Sequence, residues 1–127
     1  MSDSEVIDRF VGKFHSTGLP SNEHLDKAQY YPRAGVNLSL AKVALQGTAD
    51  QAYAKIKIEP GPVPFDGKLA LERAVFRVEN DLLVARNVEV SPGVLLTETL
   101  TMDDVTGRMT HKLSFSDGTL GSWVCVP

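Results

Sequence analysis

From Lys68 to Pro127 the sequence falls into five alternating apolar and polar runs, separated by Glu79-Asn80-Asp81, Ser91-Pro92-Gly93, Asp104-Val105-Thr106-Gly107 and Asp117-Gly118. Each separator carries residues that tolerate a reversed chain, and Asp117-Gly118 suits a tight primed turn that needs positive φ. A period of two interrupted this regularly describes successive antiparallel hairpins, with one face of each strand turned to a core.

Hairpin arithmetic then assigns partners. With Ser91 to Gly93 as a loop, Val90 faces Val94, Val88 faces Leu96, Arg86 faces Glu98 and Val84 faces Leu100. With Asp104 to Gly107 as the next loop, Met102 faces Met109, Leu100 faces His111 and Glu98 faces Leu113. The turn at Asp117-Gly118 sets Leu113 against Ser122 and His111 against Val124, while a loop at Glu79 to Asp81 sets Phe76 against Val84. The apolar face so drawn is interrupted by Arg86, Glu98, His111 and Ser122. Glu72 joins them unless a bulge at Arg73 reverses its side.

A cation in an apolar interior costs several kcal/mol unless an anion meets it, so Arg86 is expected to pair with Glu98. Two readings follow: a structural ion pair that fixes register, or a polar group facing a ligand. In the second reading Glu98 and His111 are the candidate catalytic residues, since a carboxylate beside an imidazole can hold and pass a proton. Arg86, Glu72, Phe76, Leu100 and Ser122 then line the ligand site.

The N-terminal half is less regular. Ser2 and Glu5 make a capping-box pattern, and Ile7, Phe10, Val11 and Phe14 share one face at helical spacing, predicting a helix to about residue 16. A second short helix fits Ser21 to Tyr30, and Val36, Leu38 and Leu40 alternate as a strand. Residues 48–58 read either as a helix capped by Thr48 and Gln51 or as a strand with Ala52, Ala54, Ile56 and Ile58 inward; the β-branched end favours the strand. Proline-rich Pro60 to Gly67 is an irregular loop.

The bulk properties bound the rest. One domain over residues 1–127 is expected, and 43% hydrophobic with 23% charged residues is ordinary for a globular chain. A net charge of −3 gives no basic footprint for nucleic acid. No apolar run approaches a membrane span, and the acidic start MSDSEVIDRF is unlike a signal peptide, so a cytoplasmic location is expected. The single cysteine, Cys125, reads as a small buried hydrophobe. Glu98 and His111 lack the further ligands of a metal site, and the GTADQAY segment lacks the lysine of a phosphate loop, so neither metal nor cofactor is expected.

The fold class expected is α+β, one or two N-terminal helices packed on a curved, largely antiparallel β-meander that forms a cone or barrel. The order of helices then strands, ending in FSDGTLGSWVCV, resembles small cone-shaped folds of the nuclear-transport-factor-2 type and, less closely, lipocalin-like barrels. That resemblance implies an enclosed pocket. The function expected is binding of a small, largely apolar organic molecule, with cofactor-independent acid/base chemistry (isomerase, cyclase or dehydratase type) as its extension. The alternative is a structural or interaction module that forms a homodimer through its sheet.

Overall fold

The computed structural model describes residues 2–17, 34–43, 52–60 and 68–127. Eight strands, β1 (Gly12–Ser16), β2 (Asn37–Val43), β3 (Tyr53–Ile58), β4 (Phe76–Glu79), β5 (Leu82–Ser91), β6 (Val94–Met102), β7 (Met109–Phe115) and β8 (Leu120–Val126), form a closed barrel in sequence order. Every neighbouring pair is antiparallel, including the closing pair β1–β8. Closure leaves no free sheet edge around the ring, the arrangement of an up-and-down barrel.

The helices are short. α1 (Asp3–Asp8) carries the expected capping box: Glu5 N–H donates to Ser2 Oγ at 3.2 Å and Ser2 N–H to Glu5 Oε1 at 3.3 Å. It stops far before residue 16. Gly12, at φ +152°, opens β1, so Phe14 and Ser16 are buried by strand alternation while Val11 is exposed. Spacings of three and four residues suit a helix face, yet the same residues fit a turn of helix followed by a strand. The helix expected at Ser21 to Tyr30 lies outside the described residues. Of the ambiguous segment, Tyr53 to Ile58 is strand, with Ala54, Ile56 and Ile58 buried; Thr48 and Gln51 lie outside the described residues.

Residues 68–73, expected to begin the first strand of the meander, form a second helix, α2 (Lys68–Arg73). Glu72 therefore leaves the interior set: its Oε2 accepts the backbone N–H of Ile58 at 3.1 Å. That bond serves an amide of β3 beyond its short pairing with β4, which consists of Tyr53 with Arg77 and Ala54 with Phe76.

The barrel interior is filled from all sides. Leu38, Leu40, Ile56, Phe76, Leu83, Ala85, Leu96, Leu100, Met109, Leu113, Trp123 and Cys125 belong to one buried cluster, and Val6, Ile7 and Phe10 join it from the α1 end. At about 25 cal/mol per Å² of apolar surface removed from water, this cluster is the main source of stability.

Candidate functional site

Turn lengths decide which side chains face inward. At β4–β5 the loop is two residues, Asn80 and Asp81, with φ of 51° and 62°, so Glu79 pairs with Leu82 and Val78 with Leu83. This is primed-turn geometry, which Asn and Asp tolerate. A loop one residue shorter than expected turns Leu83 and Ala85 inward.

Farther along β5 the parity changes again. Ala85 pairs with Glu98 and Val88 with Leu96, so Arg86 and Asn87 together oppose Thr97. Asn87 has φ 57°, and one extra residue inserted against its partner strand is a β-bulge. The expectation that Arg86 faces inward against Glu98 is thereby corrected. Its guanidinium projects to solvent and makes a bidentate contact with Glu79, Nε to Oε2 at 3.1 Å and Nη2 to Oε1 at 3.2 Å. Opposite Glu98 stands the methyl group of Ala85.

The β6–β7 hairpin keeps the expected register, with Leu100 opposite His111 and Glu98 opposite Leu113. Asp103 shapes its turn, accepting from Val105 N–H at 2.9 Å and Thr106 N–H at 3.3 Å, and these bonds hold its carboxyl below the usual range. The β7–β8 loop is three residues, Ser116 to Gly118, because Phe115 N–H donates to Thr119 O at 2.9 Å and Gly118 takes φ 92°. Register consequently shifts by one, pairing His111 with Trp123 and Lys112 with Ser122. Ser122 is buried, but on the sheet face away from His111, correcting its expected place in the site. Trp123, which the expected register with Ser122 inward would have turned to the other face, lies in the interior instead.

What remains inside is a compact polar couplet in an apolar sleeve. His111 Nε2 and Glu98 Oε1 are 2.7 Å apart, and both side chains are 0% exposed. The imidazole lies against Trp123, ring centroids 5.1 Å apart and tilted 39°, and edge-on to Phe76 at 6.5 Å. Phe76 and Leu100 thus share the interior with the couplet, whereas Arg86, Glu72 and Ser122 do not. Burying a net charge is expensive, so the pair is best kept neutral overall, with one proton between Nε2 and Oε1 and a second on Nδ1. In that state Nδ1 is a donor and Oε2 an acceptor. Neither atom has a hydrogen-bond partner among the described residues.

Cys125 faces the interior beside Met109, and burial pushes its thiol up to about 12, so it stays protonated. Among the described residues no three metal-ligating side chains converge. A cleft of about 110 Å³ is lined by Asp3 of α1 together with Ala52, Tyr53, Arg77 and Val78, of which Ala52 and Val78 also pack against the core. Comparison with protein-family models, curated proteins and solved structures finds no match.

Proposed function

We propose that the barrel binds a small, largely apolar organic molecule bearing one hydroxyl or carbonyl group, and that Glu98 and His111 receive that group. The observation that carries this reading is a wholly buried couplet whose outer atoms, Glu98 Oε2 and His111 Nδ1, are unpartnered among the described residues. A buried polar atom without a partner costs about 1–3 kcal/mol, more than a purely structural pair needs to spend. Eight-stranded barrels have an interior that side chains fill or that holds one small ligand. Trp123 and Phe76 supply flat apolar walls.

The same couplet gives the reading its chemical extension. A proton delivered to Glu98 Oε2 can be matched by one released at His111 Nδ1, which is the requirement for shuttling a proton within an apolar substrate. Arg86 has no part in this, being outside the barrel.

A second reading, a structural module in which the couplet only fixes the β6–β7 register, is favoured by its complete enclosure. Phenol and toluene separate the two, since they differ by one hydroxyl. The ligand reading expects saturable binding of phenol, followed by Trp123 fluorescence, about three- to tenfold tighter than toluene, with the preference lost in Glu98→Gln. Equal affinities, or no binding of either compound, would favour the structural reading.

A further inference from the structure

The interior couplet is enclosed, so a ligand must reach it through a part of the wall that opens. Among the described residues, two short elements are candidates. α2 is anchored to main chain: Glu72 to Ile58 N–H at 3.1 Å, and Arg73 Nη1 to Glu89 O at 3.3 Å. α1 is attached differently. The backbone hydrogen bonds of residues 2–11 among the described residues stay within that segment, and polar attachment to the barrel is by side chains at exposed positions. Arg9 Nε donates to Asp104 Oδ1 at 3.1 Å, with Nη2 bonded to the other carboxylate oxygen, and Lys42 Nζ lies 2.7 Å from Asp8 Oδ1 while also donating to Ser4. These straps span the barrel end, from β2 on one side to the β6–β7 turn on the other.

Beneath them Val6, Ile7 and Phe10 fill the barrel end. Chain continuity from α1 into the wall runs through Gly12, whose φ of +152° favours glycine. Just inside the turn held by Arg9, Met109 pairs with Cys125, the chain's one cysteine, fully buried on the interior face. Side-chain ion pairs in water are weak and screened by salt, whereas the ladder bonds of the strands are lost only with the wall itself.

We propose that α1 is a hinged door, turning at Gly12 and strapped shut by Arg9–Asp104 and Lys42–Asp8, which opens while the barrel stays folded and admits molecules to the interior. This rests on the ligand-binding reading for its purpose, but its test uses no ligand. Cys125 reports door opening through its reaction with a small methanethiosulfonate reagent, followed by mass at constant pH. In the full chain, labelling should proceed with a much weaker urea dependence than global unfolding followed by Trp123 fluorescence. Labelling should also quicken roughly twofold or more between about 0.01 M and 1 M sodium chloride, over which the Debye length falls from about 30 to 3 Å and the exposed pairs are screened. Arg9→Ala/Lys42→Ala should accelerate it roughly twofold to twentyfold, and Glu72→Ala should accelerate it less.

Labelling that tracks global unfolding in urea and ignores salt would overturn the door, and so would acceleration by Glu72→Ala but not by the strap variant. The salt series needs no variant to fold. If the door fails while phenol still binds, entry is elsewhere; if the door opens and phenol does not bind, only the ligand reading falls.

Discussion

His111 Nε2 stands 2.7 Å from Glu98 Oε1, and no atom of either side chain reaches solvent. Because β6 and β7 hold the two in diagonal register, the couplet behaves as one unit. Removing one partner leaves the other polar group stranded in an apolar sleeve.

His111→Leu, which leaves Glu98 buried alone, is expected to cost about 3–5 kcal/mol, whereas Glu98→Leu/His111→Leu should return to wild-type stability or exceed it. Urea denaturation of the wild type, both single variants and the double variant forms the cycle. Additive losses in the double variant would mean that the two groups do not act together.

Arg86 predicts the opposite behaviour. Its side chain is 59% exposed and its contact with Glu79 lies on the outer surface, so Arg86→Ala should change stability by no more than about 0.5 kcal/mol. Ala85→Glu places a second carboxyl opposite Glu98 inside the barrel and should abolish the cooperative transition in thermal melts. A severe Arg86→Ala variant with a benign Ala85→Glu would reverse which of the two side chains faces the barrel interior.

The glycine at 118 closes the three-residue loop that turns Trp123 inward. Its φ of 92° is one that L side chains rarely adopt, and nothing lies within 4 Å of the position its Cβ would take. Gly118→Ala should therefore cost about 1 kcal/mol through backbone strain alone, read from the urea midpoint at unchanged slope.

Stability should fall at both pH extremes for separable reasons. Cys125 is raised from 9.0 to about 12 on folding, so the native state retains a proton that the unfolded chain releases. Its contribution is complete below pH 9 and is lost as pH rises toward 12. Cys125→Ala should flatten that alkaline limb. Asp103 and Asp117 are lowered from 3.8 by backbone N–H donors, so the stability they give is present above that value and lost as pH falls through their folded pKa values. Asn at both positions should flatten the acid limb in melts recorded from about pH 2 to 6.

Most of the antiparallel architecture can be read from alternation and turns, because a period of two and residues such as Asp117-Gly118 act locally. Glu98 and His111 are also legible: both lie in one hairpin, whose four-residue loop has the length its sequence suggests. Arg86, Ser122 and Trp123 are not. Their parity depends on a bulge at Arg86-Asn87 and on a three-residue loop where Asp117-Gly118 alone could make the turn, and each adds one residue that reverses every side chain beyond it. Asn87 is the available signal for the first, since asparagine is a residue that accepts positive φ. The glycine of Ser116-Asp117-Gly118 suits a two- or three-residue loop alike, so the second carries no local mark. Glu72 escapes sequence reasoning because Lys68 to Arg73 alternates weakly enough to be either helix or strand, and its bond to β3 comes from tertiary contact.

The central claim, that this buried couplet keeps a donor and an acceptor for a ligand, is tested most directly by the side-chain nitrogen NMR signals of His111 during titration with phenol. A ligand-receiving couplet predicts a saturable shift concentrated at Nδ1 in the wild type, with Nε2 still bonded to Glu98, and a much weakened response in Glu98→Gln. Imidazole signals that stay fixed through saturating phenol would contradict it.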